Sequence, residues 1–66
     1  MKISLNGESA EISDIENIAQ LVESYHLQPQ SVLVEYNGVA LHRREWQQQL
    51  LSPGDRVEFI RVVAGG

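Results

Sequence analysis

The chain has 66 residues, nine Asp and Glu against five Lys and Arg, a net charge of −4 and no cysteine. At that length one domain with one modest core is expected, with marginal stability. The missing cysteines exclude disulfides, a thiol nucleophile and a cysteine-rich zinc site, and the acidic balance, with only Arg43-Arg44 adjacent among the basic residues, sets nucleic acid aside.

The first residues, Met1-Lys2-Ile3-Ser4-Leu5-Asn6, alternate polar and apolar, as a strand does and a signal peptide does not. Nowhere is there a run approaching the roughly 20 apolar residues that span a bilayer. No membrane role and a cytoplasmic location are therefore expected. Asn6-Gly7 is a hairpin signal, and a second strand from about Ser9 to Ile12 should return beside the first. Ser13-Asp14-Ile15-Glu16 has the form of a capping box. Ile15, Ile18, Ala19, Val22 and Tyr25 follow at helical spacing, and Pro29 requires the helix to end near His26 or Leu27.

Val32-Leu33-Val34-Glu35-Tyr36 is rich in strand formers, Asn37-Gly38 is the second hairpin signal, and Val39-Ala40-Leu41 should pair back. A short helical turn is expected around Trp46, within Arg43 to Gln49. Ser52-Pro53-Gly54-Asp55 reads as a tight turn, and Arg56 to Val63 as the longest strand, with Val57 and Phe59 inward. One amphipathic helix and five strands pack most economically as a mixed sheet wrapped around the helix, an α+β arrangement. The domain is expected over residues 1–63, followed by a flexible tail at 64–66.

Motifs for independent catalysis are missing: there is no P-loop, no G-x-S-x-G and no metal-ligand spacing. His26 belongs at a helix C-terminus, where an imidazole suits the dipole, and His42 to a loop beside two arginines. Neither has a positioned partner for acid–base work. The acidic residues show no obvious pair, and a drug-sized pocket is hard to house in so small a core. Trp46 reads as the edge of the core rather than a partner hot spot, Tyr36 as core or sheet edge, and Arg43-Arg44 as a solvated loop rather than a phosphate site. Any chemistry is expected to use a partner's active site.

The tail, Ala64-Gly65-Gly66, directly follows the last strand. An α-carboxyl group ionises with a pKa of about 3.5 and resists nucleophiles until one oxygen joins a good leaving group. Adenylation supplies that leaving group as AMP, and sulfur displacing it yields a thiocarboxylate. Glycine suits both steps, because without a Cβ it enters a narrow channel and exposes its carbonyl from either side.

Val34-Glu35-Tyr36-Asn37-Gly38, Arg44-Glu45-Trp46, Gly54-Asp55-Arg56-Val57-Glu58 and Val63-Ala64-Gly65-Gly66 together resemble the ThiS family of sulfur carriers over essentially the whole chain. The Gly-Gly end alone is shared with the small subunit of molybdopterin synthase and with ubiquitin-related modifiers, while Arg43-Arg44-Glu45-Trp46 tilts the likeness toward thiamin. The resemblance implies a ubiquitin-like β-grasp fold and a carrier that is not itself an enzyme. It implies that a ThiF-like enzyme adenylates Gly66 with ATP and magnesium, that a sulfur-donor enzyme supplies the sulfur, and that the thiazole synthase ThiG consumes it. No cofactor or metal bound by this chain is expected. Gly66 would carry the sulfur, with Gly65 and Ala64 read by the partners.

If Val32, Val34, Val57 and Phe59 face the helix, then Leu33, Glu58, Ile60 and Val62 face outward. The three aliphatic residues would form an apolar patch close to the tail, suited to docking a partner. Competing readings are a molybdopterin sulfur carrier, a protein modifier joined through Gly66, and a plain interaction module.

Overall fold

A computed structural model describes residues 1–62; Val63, Ala64, Gly65 and Gly66, and with them the expected domain boundary, lie outside the described residues. The elements run β1 (Lys2–Leu5), β2 (Glu8–Glu11), α1 (Ile18–Ser24), a 3-10 turn at Pro29–Ser31, β3 (Val32–Tyr36), β4 (Val39–Leu41), a 3-10 turn at Arg43–Glu45 and β5 (Arg56–Arg61). They form one sheet in the order β2-β1-β5-β3-β4, with β1 and β5 parallel and the other neighbours antiparallel. This is the β-grasp arrangement, a mixed sheet holding one helix.

Both hairpins follow from their asparagine-glycine pairs. Asn6 and Gly7 take φ of 52° and 82°, and Asn37 and Gly38 take 50° and 85°, the doubly left-handed geometry whose twist matches paired strands. Each asparagine has a second task. The Asn6 Oδ1 accepts from the Phe59 N–H at 2.8 Å, and the Asn37 Oδ1 accepts from the Arg56 N–H at 2.8 Å. The two turn residues thus grip β5, one from each neighbouring hairpin.

The sequence places the second strand one residue too late and the helix start several residues too early. Glu8 pairs with Leu5 across a two-residue turn, so β2 begins at Glu8, and Ile12 is buried just beyond its end. The Ser13–Glu16 capping box is not used: Asp14 has φ of 60°, which a right-handed helix excludes. Asn17 caps instead, its side chain accepting from the Gln20 N–H at 2.8 Å, while the Gln20 Oε1 accepts from the Glu16 N–H at 2.6 Å. The helix starts there because the chain after Trp46 is docked on that end. The Ile18 N–H donates to the Gln49 carbonyl at 3.0 Å and the Ala19 N–H to the Trp46 carbonyl at 3.2 Å, pairing two donors that a helix leaves open.

At the other end, the His26 N–H donates to the Glu23 carbonyl at 2.9 Å and the Leu27 N–H to the Val22 carbonyl at 3.5 Å, with His26 at φ of 57°. That is a Schellman ending with histidine where glycine is usual. Ile18, Leu21 and Val22 are buried against Ile3, Leu5, Val32, Val34 and Val57, with Ile12, Trp46 and Leu51 closing the core. Leu21, absent from the expected apolar stripe, is fully buried, whereas Tyr25 is exposed and meets Phe59 edge-on at 5.9 Å between ring centroids. Ile15, expected on the helix, lies before it and is half-buried.

Candidate functional site: the outer sheet face beside the chain end

Strand alternation sorts β3 and β5 into two faces. Val32, Val34 and Val57 are buried and Phe59 is half-buried against the helix side. The antiparallel register sets Leu33 directly opposite Ile60 and Glu35 opposite Glu58. Leu33 is 55% exposed, Ile60 41% and Val62 46%. The Val62 N–H donates to the Ser31 carbonyl at 2.9 Å, so the chain stays beside the start of β3 one residue past the strand. Leu33, Ile60 and Val62 therefore share the face expected of them, at the end of β5 from which the sequence continues to Gly65-Gly66. Ala64, Gly65 and Gly66 themselves lie outside the described residues.

Further along the same face the character changes. Glu35 and Glu58 stand across from each other and, with Ser4 and Arg56, line a shallow cavity of about 200 Å³. The sequence shows no acidic pair because these two residues are 23 positions apart; only the register brings them together. Like charges directly opposite in a strand pair destabilise it. The face thus offers an apolar strip next to a negative patch.

The turn into β5 is fixed by a buried carboxylate that the sequence reading passed over. Asp55 accepts from the Tyr36 hydroxyl at 2.7 Å, the Ser52 N–H at 2.7 Å and the Asn37 side-chain amide at 3.2 Å. Burial pushes the Asp55 carboxyl up, but the hydrogen bonds from Tyr36, Ser52 and Asn37 outweigh it and hold the group below the usual carboxylate range. Tyr36 is pushed up, first by its bond to Asp55 and then by burial and the carboxylate's charge. The arrangement makes no substrate site; it locks the start of β5. The signal for it was present in Ser52-Pro53-Gly54-Asp55, whose last residue reaches back to the first.

Among the described residues no group of three or more His, Asp or Glu could hold a metal ion, and no helix is long and apolar enough to cross a membrane. At the surface, a cleft of about 640 Å³ opens between α1 and the segment carrying Arg43, Arg44 and Trp46.

A model of the ThiS family matches residues 3–66. In structure the chain is similar to the thiamine biosynthesis protein ThiS from Geobacter metallireducens in its crystal form, with a TM-score of 0.85 and 30% identity over the whole of both chains. It is similar also to the solution structure of a thiamine biosynthesis protein from that organism, with a TM-score of 0.81 and 30% identity over all of this chain and 88% of that one. In sequence it is 23% identical over 62 residues to the uncharacterized protein ycf40 of Trieres chinensis, covering 94% of this chain and 85% of that protein.

Proposed function

The chain belongs to the ThiS family, and from that premise we propose that it is a sulfur carrier in thiamin biosynthesis whose reactive group is the carboxylate of Gly66. The observation that carries this reading is the family match through residue 66, on a fold whose central strand is the last element before the sequence reaches Gly65-Gly66.

The chemistry follows from the carboxylate. One oxygen attacks the α-phosphorus of ATP in a ThiF-like enzyme, magnesium-bound pyrophosphate leaves, and an acyl-adenylate forms. A sulfide equivalent from a sulfur-donor enzyme then adds to the Gly66 carbonyl and expels AMP, leaving the thiocarboxylate. ThiG takes that sulfur into the thiazole ring. The chain contributes no catalytic side chain; ATP and magnesium belong to the activating partner. Its task is to be recognised and to present an unhindered acyl group. The exposed strip of Leu33, Ile60 and Val62 is the docking surface, and Glu58 beside it, opposed to Glu35, gains when a basic partner residue relieves the repulsion.

Incubation with the activating enzyme, ATP and a sulfur source, followed by intact-mass measurement, tests the proposal. The thiocarboxylate has the same nominal mass as an oxidised methionine or tryptophan, so the product must also react with a thiol-directed reagent. The sequence contains no cysteine to compete. Labelling lost on deleting Gly66 supports the reading; labelling that persists without Gly66, or none with any activating partner, rejects it.

A further inference from the structure

The cleft between α1 and the Arg43–Trp46 segment lies on the helix side of the molecule, whereas Leu33 and Ile60 face away from the helix. Its volume of about 640 Å³ falls within the range of small-molecule sites, roughly 300 to 1,000 Å³. Ala19, Val22, Leu27 and Trp46 supply apolar lining.

The polar lining is unusual for so acidic a chain. Two of the five Lys and Arg residues, Arg43 and Arg44, line this one cleft together with His26. Neither arginine is held by an acidic side chain: the one ion pair among the described residues joins the Met1 ammonium to Glu11. Trp46 is 4% exposed, and its indole N–H has no acceptor. A buried donor left unpaired costs about 1–3 kcal/mol, and native structures rarely leave one without a reason. Arg43 and Arg44 are exposed, donate and cannot accept. Glu23 is the one acidic residue on the lining. A cleft that offers donors and apolar surface fits a molecule that brings acceptors and an apolar body.

We propose that this cleft binds a small organic oxyanion, a carboxylate or phosphate ester carrying an apolar ring, with the guanidinium groups of Arg43 and Arg44 on the oxyanion and the ring against Val22, Leu27 and Trp46. Guanidinium forks match both oxyanions in geometry. The site stands apart from the sulfur-carrier reading, since the isolated chain suffices to bind.

Trp46 is the only tryptophan, so its fluorescence and its single indole N–H resonance report occupancy of this cleft. The full chain is titrated separately with phenyl phosphate, benzoate, inorganic phosphate and benzyl alcohol. Saturable binding of phenyl phosphate or benzoate is expected, with Kd of about 0.1–5 mM, a displaced indole resonance, and at least about fivefold weaker binding of inorganic phosphate and of benzyl alcohol. Which of the two aromatic anions binds more tightly identifies the oxyanion. The double variant Arg43→Gln/Arg44→Gln should weaken binding at least about tenfold, equivalent to losing one good charged contact, whereas Arg56→Gln on the other sheet face should not. Both arginines are exposed, and a dispersed amide spectrum checks the fold; Ala19→Leu, which narrows the cleft from the helix side, should weaken binding without removing a charge. No saturation by either aromatic anion overturns the proposal. So does equal binding of inorganic phosphate or benzyl alcohol, or binding indifferent to the two arginines.

Discussion

Replacing Asp55 by asparagine keeps the side-chain size and removes the charge that three donors surround. Hydrogen bonds to an ionised group contribute about 1.5–3 kcal/mol each, and Tyr36, Ser52 and Asn37 all donate to this one. The sum overstates the loss, because the buried carboxylate is itself desolvated and the amide oxygen keeps some of the bonds. A net loss of about 2–4 kcal/mol is expected. A domain of this length has roughly 3–10 kcal/mol in all, so the variant keeps only part of its stability. Urea unfolding followed by Trp46 fluorescence and far-UV circular dichroism measures the difference. Its pH dependence checks the cause. The folded-state pKa of Asp55 is depressed, so its contribution is fully present above the unfolded value of about 3.9 and fades as pH falls through the folded value. The gap between parent and Asp55→Asn should therefore be constant from pH 7 to about pH 5 and close as acid is added below about pH 4. A loss smaller than about 0.5 kcal/mol, or a gap that persists undiminished at about pH 2, refutes the reasoning. Tyr36→Phe removes one donor and should lose about 1–2 kcal/mol.

His26→Gly should raise stability by about 0.5–1 kcal/mol, because the left-handed φ at the helix end strains a residue with a Cβ; thermal unfolding reads this as a higher midpoint. Glu58→Gln removes half of the opposed carboxylate pair and should stabilise by about 0.2–1 kcal/mol, with the gain shrinking in high salt. Ile60→Asp leaves the core untouched, since Ile60 is exposed; its dichroism should match the parent while calorimetric affinity for the activating enzyme falls at least about tenfold.

Much of the fold is legible in local patterns because those patterns act locally. Asn6-Gly7 and Asn37-Gly38 set both hairpins, and alternation in β3 and β5 fixes which face Leu33 and Ile60 occupy, whereas the helix, expected to run to His26 or Leu27, ends at Ser24 because His26 takes a left-handed φ. Where the reading fails, a distant segment decides. Ser13 and Glu16 carry a valid cap signal, but the carbonyls of Trp46 and Gln49 bind the helix at Ile18 and Ala19, and the start moves to Asn17. The same holds for the site. The outward strip needs only a strand period, so it is readable, whereas the Glu35–Glu58 opposition depends on register between strands and the cleft on how Trp46 seats against the helix. The second bond made by each turn asparagine spans 53 residues in one case and 19 in the other, and no local pattern encodes it.

The position of β5 has a consequence for how the protein is made. It lies between β1 and β3, so until it is synthesised the chain holds two hairpins with their inner edges unpaired. Neither hairpin can be completed by its own neighbours, and both asparagine grips await the same strand. Native structure therefore forms only when the last element slots into the middle. A ribosome stalled before Arg56 would carry a sticky, unfinished chain, and deletions within β5 should split the molecule rather than trim it.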